Sequence, residues 1–216
     1  MGISLTSGTV LAIASTYAAA VNMTAITNAA EAVATLAAGH GVVAGDYLEV
    51  TSGWGRLSGR IVRAKTVSTN DVTFEGINTT STTSYPAASG TGTVRRITGW
   101  TNMSQVKGMN PSGGDLQFTD ITAVDDVIGK QMPTIRTPVV LNLEVFDDPS
   151  LAWYAVAAAA NDARTPVAFR MSLPSGSKLV GNAYWGVALI PTLETNAPVR
   201  TNIALSFAAE PTRYAT

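Results

Sequence analysis

A chain with one histidine and no cysteine has few ways to do covalent or metal chemistry. Catalysis needs titratable and nucleophilic groups brought together, and protein metal centres draw heavily on imidazole and thiolate. The histidine, His40, lies between Gly39 and Gly41 in a segment that reads as a turn, so its expected role is to shape that turn. A His–Ser–Asp triad built on it would have no marked partners. Asp115, Asp120, Asp125 and Asp126 supply oxygens of the kind a hard cation takes, but not the Asp-x-Asp-x-Asp-Gly spacing of a calcium loop. A solvated or interface loop is the expectation there. The glycine runs 39–45 and 53–59 lack the Lys-Ser/Thr ending of a phosphate loop and read as turn glycines. Arg95-Arg96 is the only pair of adjacent cations, and neighbouring strand residues point to opposite faces, so it makes a poor nucleic-acid patch. Three glycosylation-type sequons, at Asn22, Asn78 and Asn102, are read as chance products of a Thr-rich chain. The kit is therefore that of a non-enzyme, with no catalytic residue, metal or cofactor expected.

Composition points to contact rather than chemistry. Charged residues make up 13% of the 216, and hydrophobic ones 46%, against about 25% charged in an ordinary soluble domain. So little charge leaves less material to cover a monomer and suggests extensive burial against other copies. The alternative is a neutral surface of Thr, Ser, Asn and Ala. A net charge of -1 offers no general attraction for nucleic acid. The first Lys or Arg is Arg56, so no cationic leader of a secretory signal is expected. The longest strongly apolar run, residues 151–160, is too short to span a bilayer, and no membrane partner is expected.

The elements that would position these residues are mostly strands. Residues 8–17 read as a first strand. Residues 29–50 are ambiguous, and the turn signals at 38–41 and 45–46 favour strand, turn, strand. Residues 60–67 and 71–77 form an expected hairpin, with Val72 and Phe74 alternating against Thr73 and Glu75. Residues 78–92 read as an exposed loop and 93–97 as a short strand. Residues 22–97 would then form a compact β-rich unit. Residues 119–136 show no clean period, and a loop of that length is uncommon unless it binds something. Asp148-Pro149-Ser150 reads as a helix start, with Asp148 as cap, and the helix is expected over 148–161. It shows two apolar faces, one with Leu151, Tyr154, Ala155 and Ala158, the other with Trp153, Val156 and Ala157. Val139–Val145, Val167–Leu173, Trp185–Leu189 and Val199–Phe207 each alternate apolar and small or polar residues, as strands of an antiparallel sheet do.

The order across residues 138–207 (strand, capped helix, three strands) resembles the core of siphophage major tail tube proteins. The pieces that carry it are Pro138-Val-Val-Leu-Asn-Leu-Glu-Val-Phe, the helix after Asp148, Val167-Ala-Phe-Arg-Met-Ser-Leu-Pro-Ser-Gly, Tyr184-Trp-Gly-Val-Ala-Leu-Ile and Val199-Arg-Thr-Asn-Ile-Ala-Leu-Ser-Phe. Residues 101–120 resemble the strand entering that family's inter-subunit loop, and residues 8–17 its first strand. The resemblance covers about two-thirds of the chain and rests on order and spacing rather than a single motif. It implies a mainly β fold: an antiparallel β-sandwich or barrel-like tail-tube core with one flanking α-helix. The core would comprise residues 1–21 and 98–216, with a small inserted β-rich domain at 22–97 whose role stays open between outer decoration and ring stacking. It implies a structural virion protein, made in the host cytoplasm, that self-assembles as stacked hexameric rings. DNA would pass through the lumen at ejection without specific binding. Tape measure, tail terminator and tail tip proteins are the implied partners. Inter-subunit contact is expected at Asp120, Asp125, Asp126, Ile128 and Met132 of the 119–136 loop, and at Trp153 and Val156 of the helix. Three alternatives stand beside it: another virion component such as a tail terminator or head decoration protein, the related tube of contractile or secretion systems, and a carbohydrate-binding or adhesin β-module.

Overall fold

The computed structural model describes residues 7–215, so the first six residues of the expected opening segment 1–21 lie outside the described residues. The chain runs as β1 (Val10–Tyr17), β2 (Val21–Ile26), β3 (Val33–Leu36), β4 (Tyr47–Ser52), β5 (Ile61–Ser68), β6 (Asp71–Phe74), β7 (Gly92–Met103), β8 (Val106–Ser112), β9 (Leu116–Asp120), β10 (Gln131–Arg136) and β11 (Val140–Phe146), then the helix α1 (Ala152–Ala163), then β12 (Val167–Ser172), β13 (Lys178–Val187), β14 (Arg200–Phe207) and β15 (Thr212–Tyr214). It is a mainly β protein with one helix and antiparallel pairing throughout.

Two cores share one long strand. Residues Gly92–Arg96 of β7 pair with β4 on one edge, and Gly92–Val94 pair with β2 on the other. The path β2-β3-β6-β5-β4-β7 therefore closes on itself as a six-stranded ring. At the closure, a Cβ on Gly92 would lie 2.0 Å from the Thr51 carbonyl oxygen, so only glycine fits between the strands. Leu36, Leu48, Trp54, Val62, Val72 and Phe74 fill the ring. The expected 60–77 hairpin is there, with Ser68 opposite Asp71 and Thr69 taking the left-handed conformation at the turn (φ 52°). The expected loop at 78–92 is there and mostly exposed, but it is not wholly on the surface. Thr79 and Tyr85 are buried in it, Tyr85 packs edge-on against Trp54 at 5.2 Å, and the Trp54 indole donates to the Pro86 carbonyl at 2.7 Å. This Thr/Ser-rich segment lids the ring, which its polar composition conceals.

The second half of β7 continues through residue 97, where the sequence suggests a boundary, and pairs with β1. From there the sheet runs β7-β1-β12-β13-β14-β11-β8. Only Ser104 and Gln105 separate β7 from β8, so the two ends of this sheet are tied together and the sheet must curl. Alternation builds its inner face. Leu141 opposes Leu205 and Leu143 opposes Ile203 across β11 and β14, all buried. α1 covers the open side through one stripe, Trp153, Ala157 and Ala160, at the spacing of one helical face. The helix starts later than its expected Asp148 cap. The Asp148 carboxylate instead accepts from the Ser150 N–H and hydroxyl, making a turn, and Leu151 occupies the cap with no side-chain bond. At the other end Arg164 takes the left-handed cap conformation and donates its N–H to the Ala160 carbonyl.

A cation–aromatic seam joins the two cores. Tyr47, Ile61 and Ile97 pack with Ala168, Val180 and Tyr214. The Arg95 guanidinium lies 4.1 Å over the Tyr17 ring and binds Glu49, which also accepts from the Asn182 amide at 2.8 Å. Arg170 stacks over Trp100 at 4.5 Å. The C-terminal β15 acts as a clasp. It pairs with β13, while the Tyr214 hydroxyl accepts from the Arg63 backbone N–H at 2.7 Å and the Thr212 hydroxyl oxygen from Arg60 at 3.1 Å.

Burial pushes the phenols of Tyr17 and Tyr214 up from 10.0 to about 12. Between those values the unfolded chain loses these protons and the folded chain keeps them. The stability they contribute is fully present below pH 10 and is lost as pH rises toward 12. Urea midpoints measured across that range should fall steeply. Tyr17→Phe should cost stability at neutral pH, because the Ala168 N–H loses its acceptor, but should show a shallower loss above pH 10.

Candidate assembly surface

The residues with chemical potential are occupied locally. Val42 N–H donates to His40 Nδ1 at 3.0 Å, and His40 Nε2 lies 2.9 Å from the Thr69 carbonyl oxygen. The imidazole thus bridges two turns in its Nε2–H form, the shaping role its glycine neighbours suggest. Asp120 accepts from the N–H and hydroxyl of Thr122, and Asp126 from the Ala123 N–H and the Lys130 ammonium. Those bonds hold both carboxyls below the usual range. Among the described residues no group of three or more His, Cys, Asp or Glu is placed to hold a metal. Arg95 and Arg96 diverge, Arg95 to Glu49 and Arg96 to Asp46.

Residues 119–136 are only in part the expected loop: 121–130 connect two strands, and the rest belongs to a two-stranded ribbon, a correction with a physical reason. β9 pairs with β10 from Leu116↔Arg136 to Asp120↔Gln131, and every residue of both strands is exposed. With neither face buried, nothing selects an alternating pattern, so the strands leave no period to read. The ribbon projects a tip, residues 121–130, closed by the Asp120–Thr122 and Asp126–Lys130 bonds, while its base is tied where the Thr137 hydroxyl accepts from the Asp115 N–H at 3.0 Å. The tip is apolar where it should be polar. Val124 and Val127 are essentially fully exposed, and Ile128 is 77% exposed. Covering each such side chain contributes about 1.5–3 kcal/mol. Asp120, Asp125, Asp126, Ile128 and Met132 thus sit on one projecting element, with Asp125 free of any partner among the described residues. Val124 and Val127 join these expected contact residues; large aliphatics in an aperiodic acidic segment are the signal the sequence carries for them.

The helix candidates part ways. Trp153 is 1% exposed and packs in the core, so its expected contact with a neighbouring subunit is corrected. Val156 is half-buried against the same core. The outward side of the helix is Ala152, Ala155 and Ala159. Of the two apolar faces, Trp153 and Ala157 are buried, Leu151, Tyr154 and Val156 pack against the same core, and Ala155 alone is exposed, so one core takes up both faces. A second exposed apolar segment follows β13. β13 ends at Val187, so Leu189 does not continue its alternation, and Leu189, Ile190 and Leu193 lie 74–85% exposed in the connection to β14.

A sequence-family model described as phage tail tube protein, TTP, matches residues 52–216. The match takes in the latter part of the six-stranded ring, the ribbon, the helix and the second core apart from β1. No curated protein matches the chain.

The two kinds of apolar residue should separate in denaturant unfolding of the chain. Trp153→Ala should cost about 3–5 kcal/mol, the range for truncating a buried aromatic. Ile128→Ser should move stability by no more than about 0.5 kcal/mol, because nothing in the folded chain rests on it.

Proposed function

The chain belongs to the phage tail tube protein family, and from that premise we propose that its copies close into hexameric rings that stack as the tube through which the genome is ejected. It is a structural protein of the virion tail. The observation that carries the proposal is the ribbon formed by β9 and β10: an element with no core of its own, holding apolar side chains out into solvent. Such a patch marks an interaction site. A projecting element received by a different surface of the next copy gives a head-to-tail contact, which closes a ring or propagates a stack. Among the described residues β8 pairs on one edge alone, and this supports the lateral joining of subunits, since an unpaired strand edge calls for a partner or a cover.

In this reading the protein does no catalysis. The lumen takes DNA without specific binding, which suits a chain whose basic side chains are largely tied to carboxylates, as Arg95 is to Glu49 and Arg200 to Glu144. Synthesis in the host cytoplasm and contacts with tape measure, terminator and tip proteins belong to the same proposal. Residues 22–97 are proposed as a domain inserted into the tube subunit. Their own filled ring supports this, although the family match begins inside them, at residue 52.

Negative-stain microscopy of purified protein should show rings or tubes on the scale of about 100 Å, six such domains around a channel. Deleting residues 121–130 and joining β9 to β10 by a short turn should leave a folded chain that no longer forms tubes. Tubes indistinguishable from wild type would count against the proposal.

A further inference from the structure

The ribbon that presents the apolar tip also borders a groove at its other end. Three segments meet there: the 53–60 connection of the ring, the base of the ribbon and the residues after β14. They enclose a volume of about 700 Å³, within the range that takes a bound group of some size. Leu116, Ile135, Val139 and Phe207 give it apolar walls, with Leu116 and Ile135 exposed. Two guanidinium groups, Arg56 and Arg136, stand at it, both exposed and neither in an ion pair among the described residues. The one carboxylate there, Glu210, leans toward Arg60 at 3.9 Å.

We propose that this groove receives the ribbon tip of a second copy of the chain. The two surfaces are complementary in kind. The tip brings Val124, Val127 and Ile128 with the unpartnered Asp125, and the groove brings an apolar floor with two unpaired cations. A chain cannot fill its own groove. The ladder from Leu116↔Arg136 to Asp120↔Gln131 holds tip and base apart by four residue steps, about 13 Å at strand rise, and no residue of 121–130 lines the groove. The contact is therefore between copies, and each copy offers one tip and one groove, the arrangement of a head-to-tail interface. This inference rests on the tube reading and deepens it by naming the receiving surface.

The absence of cysteine makes a direct test clean. Full-length protein carrying Val127→Cys and Ala208→Cys, assembled and treated with a mild two-electron oxidant, should give a ladder of disulfide-linked chains on a denaturing gel. The pair Val127→Cys and Ala155→Cys, which puts the second thiol on the outer helix face, should give none. As an independent arm, Asp125→Arg should lower assembly at least about tenfold through like-charge opposition, and adding Arg56→Asp with Arg136→Asp should restore it. Tubes that form without the ladder, or an Asp125→Arg protein that assembles as wild type does, overturn the groove assignment and leave the tube reading standing. Wild-type protein that forms neither rings nor tubes overturns both.

Discussion

Strand β7 belongs to two sheets at once, and this constraint organises the molecule. Its first residues are hydrogen-bonded on both edges within the closed ring, and its later ones carry β1 and through it the second sheet. A twelve-residue strand with two jobs cannot change register in one half without moving every inward side chain of the other. The seam around Tyr17, Tyr47, Trp100 and Tyr214 makes the coupling stiff, because side chains from both halves share it. Glu49 illustrates the dependence. It sits on the ring strand β4, binds Arg95 of the shared strand and accepts from Asn182 of the second sheet. Removing such a group would leave a cation and an amide without their acceptor.

That economy explains where the few charges went. Arg63 binds Glu75, Arg96 leans on Asp46, and Lys107 and Arg200 share Glu144. Charge used in this way stiffens the chain but does little to solvate it. The surface that remains relies on Thr, Ser, Asn and Ala, and its large aliphatics gather on the ribbon tip and the β13–β14 connection rather than scattering. Scattered single apolar residues would need no explanation, but gathered ones do.

Legibility in the sequence followed burial. β11 and β14 read directly, because each has one face in a core and the other outside it, and β12 reads because its large residues alternate even though Phe169 faces the second core and Ala168 the seam. β13 was found only in part. Its early residues include Gly181, where a Cβ would come 2.4 Å from the Phe207 ring, so the packing demands the very residue that weakens a strand signal. The ribbon had no period because it has no buried face. The lid over the ring was hidden by polar composition, since Thr79 is buried through its bonds to the carbonyls of Thr27 and Ala29. On the helix, the sequence shows two apolar faces but not that one core takes both, and Trp153 lies in the stripe that faces the sheet. The acidic residues of the ribbon could be picked out, but not the fact that two of the three on the tip and its margin are spent on closing it.

The last point bears on how such an element can bind at all. A two-stranded ribbon without a core is marginal in water, and ordering it upon contact would consume much of what burial of a few valines and isoleucines supplies. This one is closed at both ends before any contact forms. Thr137 holds the base against Asp115, and at the tip Thr122 and Lys130 are held by Asp120 and Asp126. The acidic residues therefore serve association indirectly, by setting the shape of the tip in the free chain. The residue left over, Asp125, has no structural bond to lose and stands beside aliphatics that have nothing in their own chain to pack against. A preformed shape, an uncommitted charge and uncovered apolar side chains together make this ribbon the part of the molecule whose stability is completed by another surface.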